Sequence, residues 1–172
     1  EHAGGTLRYQ LLTGIPRQRL YLSKLVVLAL TCAALTAVGT AVTVVFGLVL
    51  PAAPGEDGVA LSDVVNAFWN VLVPTLAYGA IAFGVGSLTR STGPAIAIAL
   101  VLNLVGLDLL ALLVLIDDWF RNLVLDVGID RLTTNTLDED DQIATGAAAV
   151  VTLAWPAAFV VAGWLRLRDL EA

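Results

Sequence analysis

Asp108 lies in a long aliphatic run, LVLNLVGLDLLALLVLI, with Asn103 upstream of it in the same run. A carboxylate near the middle of a bilayer costs roughly 2.5–3.5 kcal/mol on insertion scales, so it faces a partner or a cavity, or carries a proton. Two readings follow. Asp108 belongs to a translocation path or a proton-linked site, or it is a structural carboxylate paired with Asn103 or with a helix outside this chain. The structural reading takes precedence, because one aspartate makes no relay. Asn66 and Asn70 stand one helical turn apart and suit either a bridge between helices or the lining of a mouth. His2 is the single histidine and Cys32 the single cysteine. The first is read as a solvated side chain and the second falls inside an apolar run, so neither a metal site nor a disulfide framework is expected. Asp138-Glu139-Asp140-Asp141 lacks the spaced oxygen ligands and the glycine of a calcium loop and reads as solvated. No Walker A loop, His-Glu-x-x-His, Gly-x-Ser-x-Gly or cysteine pair is present. No catalytic residue is expected, and the chain is not read as an enzyme.

The elements that must position these residues are membrane spans. Of the 172 residues 58% are hydrophobic and only 14% charged, whereas a soluble domain is about half apolar and about a quarter charged. The excess sits in long charge-poor runs, each near the ~20 residues that cross a bilayer. Spans are expected over 25–50, 64–88, 95–116 and 143–165. Gly39, Thr43 and Gly47 form a small-residue ridge on the first, which helix packing explains. Pro51, Pro54, Gly55 and Gly58 make the connection 51–63 a turn. Pro74 removes a backbone donor inside the second span, and Ala80, Gly84 and Gly86 soften its far end. Residues 89–94 form a tight turn, with Pro94 suited to the first turn of the next helix. Within the connection 117–142, the segment 119–137 is too short and too charged to cross. Its apolar residues suggest one or two short helices that dip into the outer leaflet or lie along it. The fold class is therefore all-α, a polytopic bundle of four transmembrane helices with short outer helices between the last two.

Charge orients the bundle. Seven of the nine basic residues, Arg8, Arg17, Arg19, Lys24, Arg90, Arg166 and Arg168, fall on one face, and Arg121 and Arg131 on the other. The positive-inside rule places both ends, including the tail 166–172, in the cytoplasm of a multi-pass plasma-membrane protein. The net charge of −6 then belongs mostly to the outer loops, and nucleic acid is not expected as a partner. With no methionine, the chain is expected to be a processed product or a piece of a longer protein, the second taking precedence.

The opening segment 1–24 is polar and basic. Leu7, Leu11, Leu12 and Ile15 give a helix through 6–13 one apolar stripe, and Gly14 and Pro16 then interrupt it. Arg8, Arg17, Arg19 and Lys24 crowd that stripe, which makes the segment a short amphipathic helix and a basic collar. Glu1-x-x-x-Gly5-Thr6-Leu7, then Leu11-Leu12, then Pro16-Arg17-x-Arg19 and Lys24 entering a long apolar helix resemble the cytoplasmic loop of type-2 ABC transporter permeases, the membrane subunits of an exporter class. The resemblance implies that 1–13 is a coupling helix that docks on a separate ATPase subunit. Glu1, Gly5, Thr6, Leu7 and Arg8 would form the contact. It also implies spans three to six of a six-span permease, with the short helices of 119–137 where the family has a pair between its last two spans, and Trp164-Leu-Arg-Leu-Arg-Asp-Leu at its cytoplasmic end. The expected partners are the ABC ATPase, a second permease copy or the upstream spans, and membrane lipid. ATP and magnesium would sit on the ATPase, and no cofactor on this chain. Asn66, Asn70, Asn103 and Asp108 would line the path or pack helices. The alternative is a non-transport scaffold whose interfacial helix binds lipid or a regulator, and a second is an intramembrane enzyme using Asp108.

Overall fold

In lipid the backbone must satisfy its own amides and carbonyls, so a long apolar run has the helix as its only open-chain solution. The computed structural model describes residues 17–49, 60–89, 92–101, 117–134, 136 and 143–168, and every element among them is helical. Helix α1 spans Arg17–Val49, α2 Leu61–Thr89, α3 Thr92–Val101, α4 Leu125–Leu132 and α5 Thr145–Arg168, with a 3₁₀ helix over Asp118–Leu123 ahead of α4. Three of these, α1, α2 and α5, are long and apolar enough to cross a membrane. Only the first part of the span expected over 95–116 is described, as α3, and its remainder, with Asn103 and Asp108, lies outside the described residues. Helix α1 starts at Arg17, so residues 17–24, read as a collar, run straight into the span.

Local chemistry accounts for the ends and for the hydroxyls. Asp63 closes the start of α2 by accepting from the Ala60 amide at 2.9 Å, a capping-box arrangement. Asp117 caps the 3₁₀ helix through the Trp119 amide, also at 2.9 Å. Within the long helices Thr31, Thr43, Thr75, Ser87 and Thr89 donate to carbonyls one turn back, which keeps a hydroxyl satisfied where no water competes. Pro74 sits inside the continuous α2.

Helix α2 is central, packing on α1, α3 and α5, while α4 packs mainly on α5. On α1 the buried residues Cys32, Thr36 and Thr40 recur every fourth position and make the stripe that meets α2; Gly79 of α2 lies under the Cys32 sulfur. The Gly39–Thr43–Gly47 ridge meets no helix among the described residues. All three residues are exposed, and nothing stands within 4 Å of a Cβ built on Gly39. The close approach occurs elsewhere. A Cβ on Gly84 would fall 2.4 Å from the carbonyl oxygen of Phe159, and one on Gly163 would fall 2.9 Å from the Cβ of Ser87. These two glycines let α2 and α5 cross main chain to main chain, the usual way membrane helices gain dispersion contact. Beside this crossing Tyr21 is buried, stacks obliquely on Phe83 at 4.9 Å and donates its hydroxyl to the Val160 carbonyl at 2.8 Å. One side chain thus ties α1, α2 and α5 together.

Candidate functional site

Of the residues singled out from sequence, Glu1, Gly5, Thr6, Leu7, Arg8, Asn103 and Asp108 lie outside the described residues. Asn66 and Asn70 are described, and both belong to one polar stripe on α2. Asn66, Asn70, Pro74 and Tyr78 follow each other at four-residue steps, which keeps them on one side of a helix. Helix α4 answers with Asp126 and Asp130, also four apart.

Contacts join the two stripes at both ends. The Tyr78 hydroxyl donates to a carboxylate oxygen of Asp126. Further along, the Asn70 amide, turned so that its nitrogen faces the two carbonyls, donates to Asn66 O at 3.2 Å and to Thr133 O at 3.3 Å. The stretch of α2 between these contacts contains Pro74, whose missing amide leaves the Asn70 carbonyl without its intrahelical donor. Asp130 gathers the Thr134 hydroxyl at 2.6 Å and the Thr136 amide at 3.0 Å, which folds the chain back after α4. Asn66 and Asp126 are exposed, and Asn70, Tyr78 and Asp130 are half-buried.

The opposite face of α4 is apolar and tightly held. Val124 and Leu125 are the largest fully enclosed side chains among the described residues. Leu125 and Ile129 share a cluster with Ala77, Ile81 and Val85 of α2, flanked by Trp155 and Phe159 of α5. A Cβ on Gly128 would lie 2.4 Å from a Val151 methyl carbon, so glycine admits α4 against α5. The Trp155 indole donates to the Leu123 carbonyl at 2.9 Å.

These contacts set the depth of α4. At 1.5 Å per residue, Tyr78 is about 26 Å from the Leu61 end of α2 and about 17 Å from its Thr89 end. The apolar stretch from Val71 to Leu88 is centred within a turn of Tyr78. Trp155 is similarly about 15 Å from the Thr145 end of α5. The junction of the 3₁₀ helix with α4 therefore lies level with the middle of two span-length helices, and α4 climbs from it toward their Leu61 and Thr145 ends. Sequence reasoning missed Tyr78, Asp126 and Asp130. The available signal was the four-residue spacing on both segments, which says nothing until the two helices are known to meet. Among the described residues no group of three or more His, Cys, Asp or Glu side chains is placed to hold a metal ion.

The fold and this seam define a multi-helix membrane-type bundle with a short helical element inserted between its long helices. The chain belongs to the DUF2705 family, described as proteins of unknown function, whose model matches residues 1–166. No curated protein and no solved structure matches it.

Proposed function

We propose that the chain is the later part of the permease subunit of a type-2 ABC exporter, in which ATP binding and hydrolysis on a separate subunit drive translocation. The observation that carries this reading is the short helical pair, Asp118–Leu123 and Leu125–Leu132, seated mainly against α5 and directly before it in the chain. The resembled family has its paired short helices at that place in the chain, and the pattern Glu1-x-x-x-Gly5-Thr6-Leu7 opens the chain where the family has its coupling loop. The proposed bundle has four spans, the third of them expected over 95–116. Both ends and Arg90 are cytoplasmic, because the basic residues segregate to that side. The coupling helix over 1–13 passes the state of the ATPase to α1, and the bundle shifts between inward- and outward-open arrangements according to which one the docked ATPase favours. Asn66, Asn70, Asn103 and Asp108 line the path or hold its walls together.

A scaffold with a lipid-anchored helix is the competing reading, favoured by the basic collar Arg17, Arg19 and Lys24. Reconstitution with the cognate ATPase separates the two. A permease makes vesicle uptake or release depend on ATP, while a scaffold leaves flux unchanged with and without the nucleotide. Orientation has its own test in a Cys32→Ser background of the full-length protein. An impermeant thiol reagent added to intact cells is expected to label Ala60→Cys and to spare Arg90→Cys. Labelling of position 90 from outside contradicts the assigned topology.

A further inference from the structure

We infer that the seam between α2 and α4 is a water-filled vestibule that opens at the Leu61 end of the bundle, ends at the Tyr78–Asp126 hydrogen bond, and draws in cations. The inference rests on α2 and α5 crossing a membrane and not on the ATPase reading. Its starting point is Asp126, an exposed carboxylate level with the middle of α2 and α5. Tyr78 supplies one donor, and an ionised carboxylate has sites for about four. The open side of such a group meets lipid only at high cost, and ionisable residues at this depth face a partner or water.

Water is the occupant the remaining residues favour. Above Asp126 the polar groups continue toward the Leu61 end through Asp130, Asn70, Thr134 and Asn66, of which Thr134 and Asn66 are exposed. An apolar helix laid over this stripe would strip all of them of solvent without returning hydrogen bonds. Below Asp126 the polar stripe stops, because Leu125 closes on Ala77, Ile81 and Val85. On the α5 side Gly128 leaves no room between the helices. The opening is therefore one-ended.

The sign of the field follows from the charges at hand. Asp126 and Asp130 stand along the seam, and Asp63 is exposed at the start of α2. Arg131, next to Asp130 on α4, is half-buried and its permanent positive charge offsets one of these three carboxylates. A cleft with low-dielectric walls and one dominant sign concentrates the opposite ion about 10- to 1,000-fold.

Thiol reactivity in the full-length protein, in native membranes and a Cys32→Ser background, tests this. Asn70→Cys and Asp126→Cys should react with a small impermeant cationic methanethiosulfonate. Leu153→Cys, at nearly the same depth but on the exposed apolar side of α5, should not. At Asn70→Cys the cationic reagent should react at least about tenfold faster than an anionic one of similar size, each normalised to a free thiol, as expected for a focusing cleft. Adding Asp126→Asn should lower that ratio. If Asp126→Cys does not accumulate in the membrane, Tyr78→Cys reports the same depth. Reaction of these positions only with a lipid-soluble maleimide would mean that lipid covers the seam. Protection from both reagents would mean that another helix does. Either result overturns the vestibule, and equal cationic and anionic rates overturn its charge selectivity.

Discussion

Gly84→Val is expected to destabilise the bundle strongly. Even a methyl group at this position would sit 2.4 Å from the Phe159 carbonyl oxygen and 2.5 Å from its carbonyl carbon. These are main-chain atoms of α5, so no rotamer change relieves the clash and the helices must part. Inserting one extra carbon into a packed core ordinarily costs about 1–3 kcal/mol, and valine inserts three, so about 3 kcal/mol or more is expected. In a chain of this size that corresponds to a fall in Tm of about 6–12 °C. Parting α2 from α5 also pulls on the Tyr21 hydroxyl, whose acceptor is the Val160 carbonyl beside Phe159, so α1 should loosen with them. Gly39→Ala is the control. Nothing lies within 4 Å of its added Cβ, and alanine is the better helix former by about 1 kcal/mol. Thermal unfolding in detergent should therefore rank Gly39→Ala at or above the parent and Gly84→Val far below it. Equal midpoints for the two would contradict the assigned helix crossing.

That contrast also marks how far the sequence could be read. The long helices α1, α2 and α5 were legible because an apolar run of span length has few alternatives in lipid. Which glycines are contacts was not legible. Gly39 and Gly47 have the better small-residue spacing, yet they meet no helix among the described residues. Gly84, read only as softening the end of α2, makes the closest approach to another helix's backbone. Spacing shows that a ridge exists and cannot say whether another helix arrives there. The 119–137 segment was recognised as short helices too charged to cross, with a dip into the leaflet as one of two options. Its depth was hidden because Asp126, Asp130 and Arg131 dominate its composition. In the structure α4 has two faces: Leu125, Gly128 and Ile129 are buried, while Asp126 turns to Tyr78. Asn66 and Asn70 were singled out from their one-turn spacing. Tyr78 stands two further turns along the same stripe, and only its contact with Asp126 distinguishes it.

Glu1→Lys is expected to have the largest functional effect. Glu1 opens the segment that resembles the family's coupling loop, where a carboxylate is favoured by the helix dipole and can accept charge-assisted hydrogen bonds from a docking partner. Reversing its charge replaces that attraction with repulsion, and truncating or reversing one member of a buried charge pair costs about 2–5 kcal/mol of binding. Under the proposed permease reading, that is a loss of about 30-fold or more in affinity for the ATPase, at 1.4 kcal/mol per tenfold. A helix that only anchors to lipid responds in the opposite sense. Each basic residue near an anionic surface contributes about 1 kcal/mol, so Glu1→Lys would hold the segment at least as firmly and lose no partner. Arg8→Glu sharpens the contrast, because it weakens lipid anchoring and also disturbs a docking contact.

The direct measurement is co-purification of the cognate ATPase with the full-length protein, wild type against Glu1→Lys and Arg8→Glu, at matched expression and membrane insertion. The permease account predicts a stoichiometric ATPase with the wild type and its loss or strong depletion with both variants. An undiminished ATPase complex in both, or none with the wild type, would contradict it.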